Sequence, residues 1–443
     1  MKGGAVTTMV LTAVTTPEWE ARLVGGLEQA GGGIRVARRC VDLADLLAAA
    51  SAGHGRAAIV SAGLRGLDRD ALGQLLTSGV APVGVVGPGD EDGERRLRQL
   101  GIDRVVVATS DLAEVATSVI DAVAGAVAEL DGTGSVPNTR VTALQGATAG
   151  SSDPNDPGQP GRLFAVWGPT GAPGRTTVAV NLAYEIALRG RATLLADVDP
   201  YGAAIAQHLA LIDEPPGIAA AARTANTGTL DLPQLVRTAR QVAPRMRVLT
   251  GLNRTERWPE LRPTSLEAIW NLARGLARIT VADCGFCLEH GDEFGYDTLT
   301  PQRNAATLTT LDHADVIIAV GSADPVGLQR LVRGLAELGE QGRSAPVRVV
   351  ANRIRESFGG RDAATQVADV LRRDAGVGNV TVVPYDRPGC DRALMSGQFL
   401  AEAAPSSPAR IAIRTLAASL VGDQVPDHRR TRRWRKARSA SVS

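Results

Sequence analysis

The sequence predicts an α/β protein with two doubly wound parallel-sheet domains. Three observations carry this. Short aliphatic runs alternate with helix-like segments in two stretches, 5–130 and 162–422, the pattern of parallel strands joined by helices. Hydrophobic residues make up 44% of the chain but aromatics only 3%, so the core is built from Ala, Val, Leu and Ile, as in sheets covered on both faces. Between the stretches, 132–161 is rich in Gly, Ser, Pro, Asp and Asn and reads as a flexible linker. A length of 443 residues allows two or three domains with sizeable cores. The expected organisation is one domain over 1–131, the linker, a second domain over 162–422 and a tail over 423–443.

In the first stretch, strand-like Val6–Ala13, Ile34–Ala37, Ala57–Val60, Pro82–Val86 and Val105–Val107 alternate with helix-like segments, starting with Glu18–Glu28 and ending with Leu112–Leu130. Five βα units in about 125 residues predict a flavodoxin-like sheet. In size and order this resembles a response-regulator receiver domain. Its phosphotransfer chemistry is missing. Ser61 stands where the third strand should end in an acid, Val14, Thr15 and Thr16 follow the first strand, and Ala108 replaces the Lys after the fifth. The expectation is a pseudo-receiver for docking or dimerisation, with another small α/β domain as the alternative.

The second stretch opens with LFAVWGPTGAPGRTTVAVN (163–181). An apolar strand enters a loop holding Gly168, Gly171 and Gly174, and a helix starts at Arg175-Thr176-Thr177. Phosphate oxygens need backbone N–H donors at close range, and small residues let the backbone approach. The helix dipole adds positive charge there, and a Thr hydroxyl can ligate Mg²⁺. The usual spacing is G-x-x-x-x-G-K-[ST]; here Pro169 replaces the first Gly and Arg175 the Lys. The chain has only two lysines, Lys2 and Lys436, so Arg175 is the local cation. An ordinary strand–turn–helix is the alternative for the loop taken alone. Further strands end in polar residues: Ala192–Ala196 in Asp197-Val198-Asp199-Pro200, Ile279–Ala282 in Asp283, Val347–Val350 in Asn352, and Val380–Val383 in Pro384-Tyr385-Asp386. In an open parallel sheet such ends line the ligand crevice.

With these residues in place, the second domain resembles the MinD/ParA group of P-loop ATPases, and within it the CpaE-like members tied to pilus assembly. Family loops read K-G-G-x-G-K-T-T, against Thr170 to Thr177 here, followed by D-x-D-P, a Walker B acid and an adenine-contacting Asn and Pro. The resemblance implies ATP and Mg²⁺ as cofactors. Gly171, Ala172, Gly174 and Thr177 would wrap the phosphates, and Arg175 would pair with β/γ oxygens. Thr176 and Asp283 would hold Mg²⁺, and Asp199 would position the attacking water. Asn352, Pro384 and Asp386 would contact adenine. Asp197 is expected to cap the strand end and orient the loop. The family's cross-dimer Lys is Thr170 here, and Pro173 removes an N–H. Losing that cation removes charge stabilisation from the transition state, so weak or absent hydrolysis is expected.

Cys284-x-x-Cys287-x-x-His290 follows Asp283. Zinc or redox chemistry and plain buried packing are both open to it. Four cysteines do not make a disulfide framework, which fits a cytoplasmic protein. No apolar run approaches the eighteen or so residues of a membrane span, and the N-terminal apolar run reads as a first strand rather than a signal peptide. The last eighteen residues hold seven Arg/Lys against one Asp, a net +6, leaving −5 on the rest of this +1 chain. With Trp434, that tail suits an anionic membrane surface or nucleic acid, or is simply solvated.

The functional expectation is an ATP-dependent dimer acting as a nucleotide-switched positioning or assembly factor. Its machine would be a Tad-like pilus or secretion apparatus, with protein partners from that or a division machine, and the protein is expected in the cytoplasm, peripherally at the inner face of the cell membrane. Septum-site or chromosome-partition ATPase is the alternative within the class, and a non-catalytic scaffold the alternative outside it. A small-molecule kinase is disfavoured because no second substrate constellation is visible.

Overall fold

The computed structural model describes residues 7–27, 29, 33–130, 159–171, 173–211, 215–290, 302–355 and 362–422. Most of the expected linker, the basic tail and Ala172 lie outside the described residues. The chain divides into two compact units.

The first unit alternates β1 (Thr8–Ala13), α1 (Pro17–Gly26), β2 (Ile34–Arg39), α2 (Leu43–Ser51), β3 (Ala57–Ser61), α3 (Arg69–Thr77), β4 (Ala81–Val86), α4 (Glu91–Leu100), β5 (Val105–Val107) and α5 (Leu112–Leu130). All neighbouring strands are parallel, in the order β2-β1-β3-β4-β5. That is the flavodoxin-like doubly wound order. An apolar cluster lies on each face of the sheet, so central β3 is buried along its whole length. Asp42, Asp68 and Asp90 start α2, α3 and α4 by accepting the N–H of Asp45, Ala71 and Gly93. At the end of β3, the Ser61 hydroxyl lies 3.0 Å from that of Thr15 and accepts the Thr15 N–H. Two neutral hydroxyls meet where a phosphoacceptor carboxylate would stand.

The second unit contains β6 (Arg162–Trp167), α6 (Arg175–Leu188), β7 (Thr193–Asp197), α7 (Ile205–His208), the start of α8 (Gly217–Asn226, which from Ala221 onward counts with the first unit), α9 (Leu232–Thr238), β8 (Arg240–Ala243), β9 (Met246–Leu249), α10 (Pro263–Leu276) and β10 (Ile279–Asp283). It continues with α11 (Ala305–Asp312), β11 (Val316–Ser322), α12 (Pro325–Glu340), β12 (Val347–Ile354), α13 (Ala363–Ala375), β13 (Val380–Pro384), α14 (Arg387–Ser396), α15 (Leu400–Ala403) and α16 (Pro408–Leu420). The strand order is β13-β12-β11-β6-β10-β7-β9-β8. Every described pairing is parallel except that of β8 with β9. The connections run both ways from β6, so the crevice at the carboxyl ends opens beside it.

Helix α6 is buried from Val178 to Ala187, between the sheet and α16. This explains its nearly continuous apolar character: it has no solvent face to decorate. Its buried Glu185 accepts from Arg410 of α16 at 2.7 Å and lies 3.4 Å from Arg189. Tyr184 stacks on Phe399 at 3.9 Å and donates to Glu402.

Candidate nucleotide-binding site

Strand β6 ends at Trp167, and the glycine-rich loop connects it to α6. Gly174 has φ +94 at the N-cap of α6, and a Cβ there would collide with the Asn352 amide. Gly171 has φ +106, and a Cβ there would collide with the Arg330 guanidinium. Both positions adopt a φ that an L side chain rarely takes, and at Gly174 the Asn352 amide leaves no room for a Cβ. The Asn352 Nδ2 donates to Pro173 O at 2.7 Å and so braces the loop from β12. Its Oδ1 accepts the N–H of Arg353, which adopts φ +61.

Two carboxylates sit side by side at the strand ends. Asp283 of β10 is in register with Asp197 of β7, and both are 1% exposed. Thr176 donates its hydroxyl to Asp283 Oδ2 at 2.5 Å, while the buried Oδ1 has no hydrogen-bond partner. Burial pushes the Asp283 carboxyl well above the usual range; the charge of Asp197 adds to this, and Thr176 and Arg175 oppose it. Asp197 accepts the N–H groups of Asp199, Ala204 and Ile205, the capping role expected of it. Burial raises its carboxyl to about 7 against those hydrogen bonds.

The Arg175 guanidinium turns back on its own loop. It donates to Gly168 O at 2.9 Å and pairs with Asp199 Oδ2 at 3.2 Å. The other oxygen of Asp199 accepts the N–H groups of Tyr201 and Gly202. Arg175 and Asp199, expected to act on phosphate and water separately, are thus brought together as an ion pair. A cleft of about 320 Å³ lies on the α6 side of the loop, lined by Gly174, Thr177, Asn352, Pro384, Tyr385 and Asp386 among others. Asp386 also caps α14 through Gly389 N–H, and Arg355 lies over the Tyr385 ring.

Two residues went unnoticed in the sequence. Arg330, on α12, reaches the loop backbone; nothing in the helix sequence LQRLVRGLAELG marks out one of its two Arg. Thr307, on α11, has a buried hydroxyl without a hydrogen-bond partner, facing Gly285 near Asp199. Cys284 is buried, and Cys287 accepts from Asn304 Nδ2. Among the described residues no three His, Cys, Asp or Glu side chains gather as a metal cluster, and no helix is long and apolar enough to cross a membrane.

The donor set fits a hard divalent cation. Carboxylate and hydroxyl oxygens are adjacent, and an unpartnered buried carboxylate oxygen costs free energy that an oxygen-seeking ion offsets. The parallel sheet, the glycine loop at a helix N-terminus and the cleft beside it define a P-loop nucleotide-binding domain. The model of the CobQ/CobB/MinD/ParA nucleotide-binding domain matches residues 164–393, just over half of the chain. The chain belongs to that family. Among solved structures it is similar to a ParA family ATPase from Chlorobium tepidum TLS (18% identity, 58% of this chain and 98% of that one, TM-score 0.48). It is also similar to the cell division ATPase MinD of Pyrococcus furiosus (20%, 59% and 98%, TM-score 0.45). A third is septum site-determining MinD of Pyrococcus horikoshii OT3, complexed with Mg-ADP (20%, 58% and 95%, TM-score 0.45). No curated protein matches the chain.

Proposed function

We propose that the chain is an ATP-binding, nucleotide-switched positioning or assembly factor with weak or absent hydrolysis. Its system would be a Tad-like pilus or secretion apparatus, as for the CpaE-like proteins it resembles. The observation that carries the nucleotide reading is the Thr176–Asp283 pair with its unpartnered Oδ1. Thr176 and Asp283 would hold Mg²⁺, which when bound offsets phosphate charge. The loop N–H groups of Gly171, Ala172, Gly174, Arg175, Thr176 and Thr177 would cradle the phosphates. Asn352, Pro384 and Asp386 would wall the adenine.

Slow turnover is supported by the Arg175–Asp199 pair. A carboxylate engaged by a guanidinium and two N–H groups is a poor acceptor for an attacking water. Thr170 supplies no charge to a partner's phosphates. ATP would drive homodimerisation, and the dimer would recruit protein partners of the pilus, secretion or division type. The tail 423–443 would add an anionic membrane or nucleic-acid contact. The CpaE-like assignment is supported by the layout of a flavodoxin-like unit without a phosphoacceptor followed by the P-loop unit. The same Arg175–Asp199 pair favours a second reading, a scaffold whose loop no longer takes nucleotide.

Calorimetric titration of the full chain with ATP and ADP in Mg²⁺ tests this. Binding that is lost in Thr176→Ala supports the switch. Absence of binding to either nucleotide leaves the scaffold. Turnover like that of ordinary family members overturns the slow-hydrolysis part.

A further inference from the structure

Arg330 lies near the start of α12 and is exposed. Its guanidinium sits against the loop backbone, where a Cβ on Gly171 would collide with Nη1. Among the described residues it has no hydrogen-bond or ion-pair partner. Its neighbours differ. Arg175 is held by Gly168 O and Asp199, and Arg333 pairs with Glu337 at 2.9 Å. A guanidinium without an ion-pair partner, beside a loop of backbone donors, can receive phosphate oxygens.

Position selects which phosphate. The cleft of about 320 Å³ meets the loop at Gly174 and Thr177. Arg330 lines a second cleft, of about 450 Å³, with Trp167, Pro169 and Thr170 at the other end of the loop. The two clefts share no lining residue. A nucleotide with its base in the first and its phosphates along the loop therefore ends beside Arg330. We infer that Arg330 receives the terminal phosphate of the bound nucleoside triphosphate, so that the chain tells tri- from diphosphate with a cation from its own α12. The inference rests on the nucleotide-binding reading above.

The test uses the full chain, Mg²⁺, and calorimetric titration with ADP and a non-hydrolysable ATP analogue. Arg330→Ala is expected to weaken the triphosphate analogue about tenfold and ADP less than about twofold, the scale of one charge-assisted hydrogen bond. Arg330→Lys should keep part of the preference. Arg333→Ala, the same charge loss one turn on, should leave both affinities within about twofold. Unchanged or equally reduced affinities in Arg330→Ala, with wild type binding both ligands, overturn the role of Arg330 alone. Wild type binding neither ligand overturns the nucleotide reading and this role together. Circular-dichroism melting of each variant confirms that the fold is kept.

Discussion

Arg175 and Asp283 set the character of the site, one by being engaged and the other by being open. The arginine's planar fork reaches a loop carbonyl and Asp199 at once, a geometry that a lysine's point charge does not reproduce. Restoring the family's cations with Thr170→Lys and Arg175→Lys together is therefore expected to raise phosphate release at least about tenfold, the scale of a supplied transition-state cation. Unchanged release would mean that the slow step lies elsewhere. Asn352→Ala strips the brace from Pro173 O. Leaving that buried carbonyl unpaired should cost about 1–3 kcal/mol in denaturant unfolding, with nucleotide affinity falling as the loop loosens. The identities of Thr176, Asp199, Asp283 and Asn352 were legible in the sequence because each stands at or close to the end of a strand or the start of a helix. The Arg175–Asp199 pair was not, since the two stand 24 residues apart and their meeting depends on the loop's path.

At the level of elements, helix α6 depends on α16. Leu416 is 3% exposed in the core cluster that both helices share. Leu416→Ala should destabilise the second unit by about 2–5 kcal/mol, the cost of a core cavity, read as a lowered unfolding midpoint. A loss under about 1 kcal/mol would show that the α16 packing matters little. Most strands and helices were visible as alternating apolar runs, and β5 and α5 match their expected spans. Elements missed in the sequence have separate causes. Helix α8, GIAAAARTAN, buries a stripe of Ile218, Ala221, Ala222 and Ala225, too small and alanine-rich to stand out as an apolar period. Strand β8, RQVA, is a short polar edge whose pairing with β9 alone holds it. Helix α14 carries Pro and Gly in its first turn, which reads as a turn until the Asp386 cap is seen.

For the whole molecule, the division into two units predicts two unfolding transitions in calorimetry. Mg–ATP should raise only the one belonging to the P-loop unit, by about 2.7 kcal/mol at a hundredfold excess over Kd. A single transition that shifts as a whole would mean that the units unfold together. Light scattering with and without ATP measures the proposed dimerisation directly; a mass that does not change with nucleotide would remove the switch.

The α/β class, the two-sheet plan and the P-loop family were written in local order along the chain: the period of the apolar runs, the glycine spacing and the polar residues at strand ends. Local order suffices there because backbone hydrogen bonding and burial act over a few residues. What needed the folded chain was the pairing of distant side chains. The sheet's register sets Asp283 beside Asp197 and leaves one oxygen without a partner. The path of the loop turns Arg175 onto Asp199, and α12 carries Arg330 to Gly171. Distance and charge in three dimensions decide those contacts, and no spacing in the sequence encodes them.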